Sequence, residues 1–144
     1  MISVKQLLSG KKNQTMHTLR PENTVIEALD LMLRANIGAV LIMEGDKLVG
    51  LFSERDYARK GILQGRKAKS TPLSEVMLTD ISLVTPDMDI DHCMALFTDK
   101  FTRHLPVIEG DKVLGMLSIG DIVSAIMKEQ KTHIRFLERY ITGG

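Results

Sequence analysis

The chain has 144 residues, of which 44% are apolar and 26% charged, and its formal charge is +1. That length holds one compact domain, or two half-domains that share a core, and excludes two independent domains. The composition excludes a disordered chain, and the near-zero charge gives no global attraction for nucleic acid or for an anionic membrane.

The opening MISVKQLLSGKKNQ has few apolar residues before it turns basic, which does not fit a secretory signal. No apolar run approaches the roughly 20 residues that span a bilayer, so a cytoplasmic protein without membrane contact is the expectation. VKQLL predicts a helix of one or two turns. After Pro21, Val25, Ala28, Leu29, Met32 and Leu33 recur at three- and four-residue spacing, which predicts an amphipathic helix. Asn23 or Thr24 is its N-cap candidate and Asn36–Gly38 its stop. Two apolar runs split by EGD follow, AVLIM and KLVGLF, and glycine in so short a connection predicts an antiparallel hairpin. SERDYARKGIL then predicts a second helix from Ser53. GRKAKS is a linker, and LSEVM, after Thr71-Pro72, predicts another short helix.

The same order then repeats. Pro86, Gly115, Ser118 and Asp121 each lie 65 residues after Pro21, Gly50, Ser53 and Asp56. Ile90, Cys93, Met94, Phe97 and Phe101 form the second amphipathic stripe, HLPVI-EGD-KVLGML the second hairpin, and SIGDIVSAIMKEQ the second closing helix. Two copies of a strand, helix, hairpin and helix unit predict a pseudo-twofold pair that buries apolar faces mutually. Cys93, alone and on an apolar stripe, reads as core. Ile134, Leu137 and Ile141 form a last stripe on a helix ending at Gly143-Gly144, suited to subunit contact. The segments are 1–15 (N-terminal), 16–66 (first unit), 67–79 (linker and short helix), 80–128 (second unit) and 129–144 (C-terminal helix).

Ser-x-x-Asp at a strand-to-helix junction has two readings. In one, Ser53 and Ser118 are N-caps, with Asp56 and Asp121 as the reciprocal acids of a capping box. In the other, the hydroxyl and the helix N-terminus hold a phosphate while the carboxylate accepts ribose hydroxyls. Gly50 and Gly115, inside strands, permit close approach by backbone or ligand, and Arg55, Arg103 and His104 offer charge-assisted contacts to phosphate. Catalysis has no assembled candidate: His17, His92, His104 and His133 are scattered, without triad, metal-ligand or P-loop spacing. Arg59, Lys60, Arg66, Lys67 and Lys69 lack interleaved aromatics and read as a solvated run rather than a nucleic-acid site.

GLFSERD and GMLSIGD, each closing a hairpin, together with TRHLPVIEGDKVLG, resemble the CBS domain pair named after cystathionine β-synthase. The resemblance covers about Thr15 to Lys128, and the flanks resemble small stand-alone bacterial members. It implies an α+β fold, a tandem pair of β-α-β-β-α units with two clefts for AMP, ADP, ATP, NAD or S-adenosylmethionine, and no catalytic role or catalytic cofactor. Each cleft would take its Ser and Asp from one unit and much of its adenine pocket from the other. One would use Ser53, Arg55 and Asp56 with Leu83, Arg103, His104 and Pro106. The other would use Ser118, Gly120 and Asp121 with Thr18, Ile37, Gly38 and Ala39. Such pairs commonly form homodimers, and a protein effector would read the bound state.

The copies differ where Glu54-Arg55 faces Ile119-Gly120 and where Gly38-Ala39 faces Arg103-His104. Both differences assign the basic groups to the Asp56 cleft, which is therefore expected to take the more phosphorylated ligand. The Asp121 cleft is expected to bind weakly or to prefer a less charged adenosine compound. A pairing module whose clefts stay empty is the competing expectation, because capping and ribose binding use the same residues.

Overall fold

A computed structural model describes residues 2–11 and 15–141. Its elements are α1 (Val4–Ser9), β1 (Thr18–Leu19), α2 (Val25–Ala35), β2 (Ala39–Glu44), β3 (Lys47–Ser53), α3 (Glu54–Asp56), α4 (Ile90–Asp99), β4 (His104–Glu109), β5 (Lys112–Ser118) and α5 (Ile119–Ile141). The architecture is the expected α+β one, with one short sheet per unit.

In the first unit β1 runs parallel to β2, and β2 pairs antiparallel with β3 from Ala39↔Ser53 to Glu44↔Lys47. In the second, β4 pairs with β5 from His104↔Ser118 to Glu109↔Lys112, and the counterpart of β1 shrinks to one parallel bridge, Val84↔Val107. The 65-residue offset survives in fine detail. The ladders slip at Ile42/Met43 and at Val107/Ile108, and the turn glycines Gly45 and Gly110 take φ of 57° and 62°. Positive φ at the first of two connecting residues is what a type II′ turn needs, and only glycine adopts it without steric cost.

Thr24 begins α2 with a full capping box to Glu27, and Asn36 ends it in the left-handed region at φ 55°. Val25, Ala28 and Met32 point into the core, but Leu33 is 81% exposed, so the stripe is narrower than its spacing suggests. Asp89 caps α4, which buries Cys93 and Phe97. Phe101, assigned from the sequence to that buried stripe, is 77% exposed. The helix stops at Asp99, and Phe101 turns outward at φ 53°. The helix after Ser53 is irregular: beyond α3 it widens into a π turn over Tyr57–Gly61 and tightens into a 3₁₀ turn over Ile62–Gln64. The Tyr57 ring lies against Gly61, where a Cβ would stand 2.8 Å from Cδ1. In the second unit the closing helix and the C-terminal helix are one continuous element, α5; its expected end at Gly143-Gly144 lies outside the described residues.

The leading segments exchange units. Val4 and Leu7 of α1 pack into the second unit's core with Val84, Phe97, Leu105 and Ile122. Leu73, from the 3₁₀ turn Leu73–Glu75, and Val76, which follows it, pack into the first unit's core with Val25, Met32, Ile42 and Phe52. A third cluster joins the sheets, with Ala39, Leu41 and Leu51 against Val113. Gly50 and Gly115 serve this exchange: Met77 lies over Gly50 and Leu8 over Gly115, each where a Cβ would stand. The close approach anticipated for the Gly50 position is therefore made by a protein side chain.

Candidate functional site

Both Ser-x-x-Asp motifs form capping boxes. The Ser53 amide donates to Asp56 Oδ2 at 3.0 Å while the Asp56 amide donates to Ser53 Oγ at 3.2 Å. At the second motif the corresponding distances are 2.8 and 3.1 Å. The residue before each hairpin feeds the same junction, since the Glu54 amide donates to the Gly38 carbonyl and the Ile119 amide to the Arg103 carbonyl. Capping uses one oxygen of each carboxylate. Among the described residues Oδ1 of Asp121 receives no hydrogen bond, so helix capping and the acceptance of a ligand hydroxyl do not compete for the same atom.

A cleft of about 1090 Å³ opens at the second motif. Ser118 and Asp121 line it from one unit, and Ile37, Gly38 and Ala39 from the other. Thr18 and Gly120, grouped with them from the sequence, do not line it. Thr18 is an exposed residue of β1, and Gly120 is exposed in the first turn of α5. Ser53, Arg55, Asp56, Leu83, Arg103 and Pro106 lie outside this cleft. Ser53 and Asp56 are joined by the capping bonds above, Arg103 is exposed, and buried Pro106 accepts the Val84 amide beside half-exposed Leu83.

His104 was grouped from the sequence with the Asp56 cleft. Its ring lines the Asp121 cleft, and a Cβ on Gly38 would stand 3.5 Å from its Nε2. The side chain crosses to the opposite unit because Gly38, its counterpart's neighbour, leaves the space open. Burial holds the His104 pKa below the ordinary imidazole value; Asp121 and Asp56 pull it up, and Lys11 and Arg103 push it down. Facing both carboxylates, His104 stands between the two motifs as a neutral group at pH 7. It adds no full charge to either.

Three further residues were not legible as cleft residues. Lys11 Nζ lies 3.1 Å from Asp121 Oδ2 and donates to the Met116 carbonyl at 2.6 Å. His17 lines the cleft with a buried Nε2 that has no hydrogen-bond partner, while its carbonyl accepts the Leu41 amide. Lys128, on α5, also lines the cleft. Lys11 escapes a 65-residue comparison because it precedes both units, and His17 because nothing in its neighbours marks it as buried. Among the described residues no group of three or more His, Cys, Asp or Glu side chains is placed to hold a metal ion.

The CBS domain profile matches twice, over residues 12–61 and 73–128. The chain belongs to the CBS domain family. It is 41% identical to a solved CBS-domain protein from Burkholderia ambifaria, covering 89% of this chain and 96% of that one with a TM-score of 0.85. The mitochondrial CBS domain-containing protein CBSX3 of Arabidopsis thaliana is 40% identical over 85% of this chain, which spans 62% of that relative's length. YhcV of Bacillus subtilis, a CBS domain-containing protein, is 32% identical, with 85% and 84% covered. CBS-domain pairs are generally regulatory modules, and this chain is a small tandem pair of that kind. No helix among the described residues is long and apolar enough to cross a membrane.

Proposed function

We propose that this CBS pair is a non-catalytic sensor of adenosine-containing nucleotides such as AMP, ADP, ATP or NAD, held in the clefts between its units. The observation that carries this reading is the Asp121 cleft itself: a capping carboxylate with one oxygen open, in a cleft that the other unit lines with Ile37, Gly38 and Ala39. The carboxylate and the start of α5 are suited to a ribose and a phosphate respectively. Arg55 and Arg103 favour the more phosphorylated ligand on the Asp56 side. The signal would pass to a protein effector by a shift in unit or subunit arrangement. The exposed stripe of Ile134, Phe136, Leu137, Tyr140 and Ile141 on α5 supports a homodimer as the signalling unit.

Thermal unfolding with AMP, ATP, NAD and S-adenosylmethionine tests this, because a ligand that binds only the folded chain raises the melting temperature once its concentration exceeds its Kd. Calorimetry on Asp56→Ala and Asp121→Ala then assigns the clefts. An equal loss of AMP and ATP binding in both variants removes the asymmetry. No shift with any of the four compounds leaves the ligand-free pairing module, a reading that the two complete capping boxes favour.

A further inference from the structure

Lys11 precedes both duplicated units, yet its ammonium reaches the cleft they form and pairs with Asp121 there. Its position follows from an irregularity in the duplication. Val4, Leu7 and Leu8 pack on the second unit as Leu73, Val76 and Met77 pack on the first. These pairs are 69 residues apart, whereas the units are 65 apart. The first leading segment is therefore joined to its strand by four more residues, and Lys11 lies where that longer connection begins. Exposed Asp80 holds the corresponding place after the second leading segment, so the two positions carry opposite charge.

The charge balance of the cleft turns on this residue. Its described lining holds two ammonium groups, Lys11 and Lys128, and two carboxylates, Asp121 and Glu129. Without Lys11 the carboxylates are in excess and an anionic ligand is repelled. His104 does not compensate, because partial burial favours its neutral form.

We propose that Lys11 is the phosphate-selecting residue of the Asp121 cleft and restricts it to nucleoside phosphates over nucleosides. This rests on the nucleotide reading given above. A ribose hydroxyl that donates to the open Oδ1 of Asp121 draws on the same carboxylate charge that holds the Lys11 ammonium at Oδ2, and so weakens that ion pair. A phosphate on the same ligand offers the ammonium a second anion in compensation. An uncharged nucleoside offers it none.

The test is calorimetric titration of the full chain with adenosine and with AMP, in an Asp56→Ala background so that the Asp121 cleft reports. The AMP-over-adenosine preference is expected to fall about tenfold in Lys11→Met, which keeps the apolar stem, and to survive in Lys11→Arg. Adenosine affinity is expected to stay level or to tighten in Lys11→Met, since Asp121 is released. An unchanged preference in Lys11→Met overturns the proposal while leaving the nucleotide reading intact, as does equal weakening of both compounds. Failure of the Asp56→Ala chain to bind either compound overturns the proposal, and the same failure in the unaltered chain overturns the nucleotide reading with it.

Discussion

The side chain of Met77 lies over Gly50, with its Cγ 2.9 Å and its Cβ 3.2 Å from where a glycine Cβ would stand. Leu8 lies over Gly115 in the same way, but only its terminal Cδ1 comes within 3 Å. The two contacts fasten each leading segment to the unit it does not precede in sequence, and they differ in how much room they leave.

Gly50→Ala should therefore be the costlier of two matched substitutions. Met77 Cβ is fixed by its backbone and cannot swing aside, so overpacking there is expected to destabilise by about 1–3 kcal/mol. Gly115→Ala meets only the mobile end of Leu8 and is expected to cost less than about 1 kcal/mol. Urea unfolding midpoints for the two variants check this, and the reverse order would contradict it.

The units were legible because a 65-residue period fixes helix, hairpin, turn glycine and capping acid together, and Thr24, Gly45 and Ser53 each carry a local stereochemical demand that sequence displays. What stayed hidden depends on long-range placement. The exchange of leading segments has no local signature, since VKQLL and LSEVM would form the same short helices on either unit. Lys11 falls outside the period, and His104 reaches the opposite unit only because the facing residue is Gly38. Phe101 fitted a helical stripe by spacing, but the helix ends two residues earlier. Sequence spacing cannot report where a helix stops when no strong breaker stands there.

Phe101 itself gives a second prediction. It is exposed and sits at φ 53°, the conformation its counterpart Asn36 adopts at φ 55°. A left-handed backbone is strained for a bulky residue and tolerated by asparagine. Phe101→Asn is expected to stabilise the chain by about 1 kcal/mol, because little burial is lost and the strain is relieved. Thermal or urea unfolding checks it. Destabilisation would mean that the ring makes contacts in solution, for example in an assembly.

His17 gives a third. Replacing an unpartnered buried nitrogen with carbon removes a desolvation cost, so His17→Phe is expected to leave the ligand-free chain unchanged or up to about 1 kcal/mol more stable. His17 also lines the cleft, so the bulkier ring should reduce the rise in melting temperature that AMP produces. A variant that is less stable and binds as well as the unaltered chain would mean that His17 is structural.

His104 sets a pH dependence whose direction follows from its surroundings. Burial is the largest influence and depresses its pKa, Lys11 and Arg103 act in the same direction, and the Asp121 and Asp56 carboxylates only partly offset them. In the unfolded chain the imidazole titrates near its ordinary value, about 6.5. Between that value and the lower folded one the unfolded chain binds more protons, so stability rises with pH through this window. The stability contributed by neutral His104 is thus complete above about pH 6.5. It is lost as the pH falls toward the folded-state value and changes no further below it. His104→Gln keeps a neutral polar side chain and removes the titration. Unfolding free energies measured from pH 7.5 down to about 5 should fall more steeply for the unaltered chain than for the variant. Identical pH profiles would show that the ring is solvated in both states. A phosphate bound in the Asp121 cleft would favour the protonated ring and raise its pKa. Binding of AMP is therefore expected to tighten as the pH drops through the same window, and to do so less in His104→Gln.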